Sequence, residues 1–167
     1  MGDGSPRFQS AVLFVLDMVA SRRFYEGLLG QTVIMDHGLN DGFSGGFAIW
    51  QADHASQTIC TYPREDATPV GRNNVELYFE ADDLDRMWSR LVEAGVSAVH
   101  PLWAQSWGQR VMWVAGPDNH IGELGEPIPV LIGRIAAQGM APEAIVERTS
   151  MPVDIILQIL GARGLPA

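Results

Sequence analysis

VELYFEADDLDRMWSRLVEAG, residues 75–95, carries a strand, an acidic break and a helix in that order. In Val75–Glu80 apolar and polar residues alternate, so Val75, Leu77 and Phe79 share one face and Glu76, Tyr78 and Glu80 the other. Asp82 and Asp83 follow, LDRMWSRLVEA has helical character, and Gly95 stops it. The same order occurs upstream. Ala11–Val15 is a short apolar run expected to be a buried strand, Asp17 follows, Ser21–Leu29 has helical spacing, and Gly30 ends it. Asp17 and Asp83 are 66 positions apart and Gly30 and Gly95 are 65 apart, which marks an internal duplication.

Further short strands follow each helix. The first copy offers Thr32–Met35, a turn at 37–42 with the signal Asn40-Asp41-Gly42, and Gly46–Gln51. The second offers Val96–Val99, Gln109–Val114, a turn at Gly116-Pro117-Asp118-Asn119, and His120–Gly125. The expected fold is α+β, built from two βαβββ repeats at about 8–51 and 73–127. A polar linker at 52–72 contains Pro63, Pro69 and Gly71. Gly42–Gly46 lacks the spacing and the lysine of a phosphate loop, and suits a bulge or sharp bend.

The chain has 167 residues, 47% hydrophobic and 19% charged, enough for one domain with a core and not the composition of a disordered chain. No apolar run reaches the roughly 18–20 residues of a membrane span, and no signal peptide is expected, which points to the cytoplasm. All 11 basic residues are arginine, so lysine Schiff-base chemistry is excluded. A net charge of −9 disfavours nucleic acid as a partner. The single cysteine, Cys60, excludes an internal disulfide and a cysteine-rich metal site, and is expected to be a buried thiol.

Residues 1–129 carry the whole net charge, with 8 arginines against 17 carboxylates, whereas 130–167 have 3 of each. The change falls at Glu126-Pro127-Ile128-Pro129, giving a main domain at 8–129 and a helical tail at 130–167. The tail divides into PVLIGRIAAQ, Pro142–Arg148 and Pro152–Leu160. Its pattern resembles helix-turn-helix elements, but PVDIILQIL has no basic residue to neutralise phosphate. An apolar clamp on the sheet or across a dimer is expected instead.

VLFVLDMVASRRFYEGLLG at 12–30, FEADDLDRMWSRLVEAGV at 79–96, WGQRVMW at 107–113 and GPDNHIGELGEP at 116–127 resemble the vicinal-oxygen-chelate superfamily. That group contains glyoxalases, bleomycin-resistance proteins and extradiol dioxygenases, and the likeness is to its glyoxalase-like branch. The resemblance implies a cup-shaped mixed sheet, a small-molecule ligand, a homodimer, and a divalent metal held from the first and last strands of each repeat. Position by position, the last ligand falls on Glu123. The second repeat's opening ligand, seven residues before Asp83, falls on Glu76, and its counterpart before Asp17 falls on Ser10. Gln51 is the only donor offered by the last strand of the first repeat. A metal here would be Mg, Mn, Ni or Zn, or the site would hold none; oxygen donors favour Mg, Mn or Ca over Zn. Without two histidines at these positions, an extradiol dioxygenase is not expected.

Strand parity places Glu76 and Tyr78 on one face, and Ile121, Glu123 and Gly125 on another. If both glutamates enter one cavity, either a cation lies between them or one pKa rises. With a metal they would stabilise an enediolate; without one they would serve as base and acid. Alternatively, Glu76 pairs with an arginine such as Arg110. Tyr78, Trp107, Gln109, Arg110 and Trp113 are candidate substrate contacts, with Trp103, Trp107 and Trp113 able to wall an apolar pocket. Gln109 and Arg110 lie on opposite faces, so at most one enters the cup. His37 and His120 are expected to be solvated near turns, and His54 could reach a cavity mouth. The expected activity is lyase or isomerase chemistry by proton transfer next to a carbonyl, lactoylglutathione-lyase-like; the alternative is a non-catalytic protein that sequesters a small molecule.

Overall fold

The computed structural model describes residues 8–60 and 70–164. The readings made on residues 1–7, on Pro63 and Pro69 of the linker, and on the last three residues of the tail lie outside the described residues. The described residues form two compact units, one from 8–60 and 70–75 with 116–120 and one from 76–115 with 121–164.

In the first unit, β1 (Ala11–Val15) runs parallel to β4 (Phe47–Gln51), and β3 (Asn40–Phe43) and β2 (Val33–Asp36) complete a four-stranded sheet in the order β1-β4-β3-β2. Asp17 caps helix α1 (Met18–Arg22) by accepting from the Val19 and Ala20 amides at 2.8 and 3.0 Å. The helix therefore begins before Ser21, then widens into a π-helical stretch at Arg23–Leu28. Phe24 and Tyr25 are both buried there, and the Tyr25 ring packs on Phe43 and Phe47. Gly30 ends the segment at φ +68°, a left-handed conformation that glycine adopts without steric cost.

One local expectation is corrected. Asn40-Asp41-Gly42 is not a turn but strand β3, paired residue for residue with β4. Tertiary contacts override the turn propensity. Asp41 is wholly buried and faces Arg22 Nε at 3.6 Å, while Gly42 leaves room for Met35. The hairpin reverses instead at Gly38, with φ +75° and its amide donated to Asp36. The linker's short element is α2 (Ala52–Cys60), and its Cys60 is exposed rather than buried.

The second unit repeats the plan. β5 (Glu76–Glu80) is parallel to β8 (Ile121–Gly125), and β7 (Arg110–Ala115) and β6 (Ser97–Ala104) continue the sheet in the order β5-β8-β7-β6. Asp83 caps α3 (Leu84–Glu93) through the Arg86 amide at 2.9 Å, and Leu84 and Leu91 bury its inner face. β6 extends beyond the expected Val99 through Pro101, with register shifts on both sides of His100. The chain is thus an α+β protein of two βαβββ repeats with C-terminal helices.

The tail forms α4 (Ile128–Ala137), α5 (Pro142–Thr149) and α6 (Val153–Ala162). Leu131, Ile132, Ile135, Ile145, Ile156 and Leu160 make a core of their own. Among the described residues, no helix is long and apolar enough to cross a membrane.

Candidate functional site

The register of the second sheet brings Tyr78, Glu123 and Trp113 into one row on neighbouring strands. Glu76 lies one step along β5, opposite Ile121. Paired residues share a face, so Glu76 and Tyr78 lie on the same face as Glu123 and Trp113. Leu77, Phe79, Met112 and Leu124 fall on the other. The structure therefore brings the two sequence-predicted glutamates together.

Glu123 lies within hydrogen-bonding reach of Glu76, and its carboxyl is pushed up to about 7. Burial contributes most, followed by the hydrogen bond with Glu76 and that group's charge, with the Trp113 indole opposing them. Trp113 Nε1 donates to Glu76 Oε2 at 3.0 Å. Two carboxyls side by side hold one proton more readily than none, and the indole N–H stabilises the oxygen that carries charge. The Trp113 contact goes beyond the wall residue expected from sequence. Its signal was present in the hairpin, because pairing Ala115 with Ile121 across the 116–120 turn sets Trp113 against Glu123.

Tyr78 stands beside the pair, half exposed, with its phenol pushed up mainly by burial. Gln109 is buried and fully engaged. Its Nε2 donates to Tyr78 Oη and to the Glu126 carbonyl, both at 2.9 Å, and its Oε1 accepts from Trp107 Nε1 at 3.1 Å. Gly125 makes this approach possible, since a Cβ there would sit 2.9 Å from Gln109 Nε2 and 3.0 Å from the Tyr78 ring. Arg110 does not join this set. Its guanidinium forms a two-pronged pair with Asp85 on α3, at 2.7 and 3.0 Å. Glu76 thus takes the indole, not Arg110, as its partner.

Gln51 lies in the first unit, where its Oε1 accepts from the His54 amide at 2.7 Å at the start of α2. Ser10 donates to the Ala11 carbonyl. His54 Nδ1 accepts from Trp50 Nε1 at 2.7 Å. His120 is buried rather than solvated, and burial lowers its pKa against the opposing charge of Asp118. Two features of the second unit were not anticipated. His100 Nε2 is buried and makes no hydrogen bond, with its ring against Trp113. The buried Glu126 carboxylate is also held by the tail's Arg134.

Among the described residues, no three His, Cys, Asp or Glu side chains come together as metal ligands. Glu76 gives one oxygen to the Trp113 indole and Glu123 is turned toward Glu76, so a shared proton satisfies this pair without a cation. What the arrangement can do is hold and pass a proton.

Two four-stranded sheets of the same strand order, each built from a βαβββ repeat, define a class of fold before any relative is considered. The family model for the glyoxalase-like domain matches residues 8–129, and the chain belongs to that family, within the vicinal-oxygen-chelate superfamily. An uncharacterized protein of Mycobacterium bovis is 31% identical over 83 residues, covering 50% of this chain and 54% of that protein. The chain thus spans about half the length of the curated relatives it matches. A crystal structure of a protein of unknown function from Agrobacterium tumefaciens is 35% identical, with a TM-score of 0.68 over 74% of this chain and 96% of that one. A glyoxalase/bleomycin resistance protein/dioxygenase from Nocardioides shares the fold at 23% identity and a TM-score of 0.57, over 75% of this chain and 85% of that one.

Proposed function

We propose that this protein is a lyase or isomerase that moves a proton next to a carbonyl on a small organic molecule, with Glu76 and Glu123 as the working pair. The observation that carries this reading is the contact between the two carboxyls, with Glu123 held near neutrality. Glu76, which accepts the Trp113 indole, is the base that takes a carbon-bound proton. Glu123 is the acid that donates its proton to the developing enolate oxygen, so electrons move from the C–H bond into the carbonyl without a net redox change. A group poised near the working pH serves best in either role. Tyr78 and Trp113 are the substrate-contacting residues, Gln109 and Trp107 hold Tyr78, and Arg110 stands outside. Residues 8–129 form the ligand-binding domain in this reading, and the homodimer and cytoplasmic placement follow from the family likeness.

The test is exchange of carbon-bound hydrogen in deuterated water, followed by NMR on a panel of small 2-oxo and 2-hydroxy carbonyl compounds. Wild type should catalyse exchange on at least one, and Glu76→Gln or Glu123→Gln should each slow it by about 100-fold or more. A second reading, ligand sequestration without turnover, draws on Ser10 and Gln51 being used locally in the first unit. It predicts ligand-induced thermal stabilisation in all three proteins and exchange in none. That result would overturn the catalytic proposal.

A further inference from the structure

We infer that Arg134, on tail helix α4, is a positioning residue for the candidate site, acting through Glu126 and Gln109 on Tyr78. The helical tail lies beyond the matched family domain, and nothing in that match assigns it a role. Arg134 Nη2 donates to the Gly108 carbonyl at 2.7 Å and also pairs with Glu126 Oε1, while its Nε reaches Glu126 Oε2 at 3.3 Å. One guanidinium therefore ties the β6–β7 loop to the end of β8. Glu126 is 5% exposed, and its Oε1 also accepts the Arg110 amide at 3.0 Å. The residue between these two anchored points is Gln109, 6% exposed.

Gln109 has no freedom left. Both hydrogens of its amide are donated, one to the Glu126 carbonyl and one to Tyr78 Oη, and its oxygen accepts the Trp107 indole. Tyr78 itself sits on exposed β5 and is 47% accessible; its phenol accepts from Gln109 at 2.9 Å and makes a longer bond to Glu80 at 3.4 Å, so the Gln109 bond is the shorter of the two that fix it beside Glu123. A buried chain in which every member is satisfied shifts as a unit when one end is removed. The planar fork of arginine suits the task, because it meets a carboxylate and a carbonyl at once, whereas an ammonium offers a single point of charge.

This inference rests on Glu76 and Glu123 being the working pair, but its first readout does not. In the full-length protein, the Trp107 indole resonance, assigned with Trp107→Phe, reports the Gln109 contact directly. The midpoint of the Glu123 carboxyl titration, followed by carbon NMR, reports how the site end responds. Arg134→Gln should shift the Trp107 resonance and bring the Glu123 midpoint down toward the ordinary carboxylate range as water enters beside Tyr78. Arg134→Lys should restore part of both, and Arg134→Gln in a Gln109→Leu background should add no further change in the midpoint.

Arg163→Gln is the comparison for a merely structural tail. Its guanidinium packs on Gly133 inside the tail. It should lower thermal stability and leave both signals in place. If Arg134→Gln fails to fold, Glu126→Gln carries the same expectation. Unmoved signals in a folded variant, or an equal shift from Arg163→Gln, would overturn the inference. If deuterium exchange fails while Trp107 and Glu123 respond as described, the positioning chain stands and the catalytic reading alone is lost.

Discussion

At Glu123, burial, a neighbouring carboxyl and an indole N–H act on one proton. The consequence for stability has a definite sign. The folded carboxyl titrates at about 7 and the unfolded one near 4.5, so between these values the folded chain binds the extra proton. Stability from this group is present below about pH 4.5 and is lost as pH rises through 7. His120 works in the opposite sense, because burial depresses its pKa and stability is lost as pH falls through that lowered value. Comparing wild type with Glu123→Gln by urea unfolding at a series of pH values isolates the first effect. The wild type should lose stability relative to the variant on going from about pH 5 to about pH 7.5. Parallel profiles would contradict the placement of the shared proton. The pairing of Glu76 with Glu123 was legible, because alternation in VELYFE and HIGELGE fixes which side chains share a face. The burial of His120 and the exposure of Cys60 were not, since a lone residue in a turn or at a helix end has no periodicity to reveal its surroundings.

Among the elements, the 116–120 turn does more than join β7 to β8. Asp118 accepts the Leu16 amide through both oxygens, at 3.2 and 3.1 Å, and its carbonyl accepts the Gly71 amide at 2.8 Å. A Cβ on Gly71 would lie 2.3 Å from the backbone of Asn119, so no side chain fits there. Asp118→Ala should cost about 1 kcal/mol or more by leaving the part-buried Leu16 amide without its carboxylate partner. Gly71→Ala should destabilise the fold through backbone displacement. Thermal unfolding checks both, and a Gly71→Ala melting temperature equal to wild type would contradict the packing. The turn itself was readable from GPDN, but its partners Leu16 and Gly71 lie 102 and 47 positions upstream of Asp118 in sequence, beyond the reach of local pattern. The same limit hid β3, where Asn40-Asp41-Gly42 has the local chemistry of a turn and the tertiary contacts of a strand.

On the scale of the whole molecule, the duplication was visible because two strand–helix pairs recur at nearly constant offset. The metal expectation drew on family likeness and on two carboxyls sharing a face, and in the structure a shared proton satisfies that pair. Thermal shift with Mg, Mn, Ni or Zn on metal-stripped protein should therefore give no rise that depends on Glu76 and Glu123. A bound ion at a hundredfold excess over its dissociation constant would add about 2.7 kcal/mol, so the measurement discriminates sharply. A rise in wild type that disappears in both glutamine variants would restore the metal.

The strand order has a further consequence for association. Each sheet has two outermost strands, and in each sheet one of them is irregular. β2 shifts register between Val33 and Met35, and β6 shifts twice and includes Pro101, which has no amide hydrogen to offer. β1 and β5 keep an unbroken register with their neighbours. Bulges and proline spoil a strand as a template for another chain. The backbone itself thereby makes β2 and β6 poor templates for an added strand, and regular outer ladders remain only at β1 and β5.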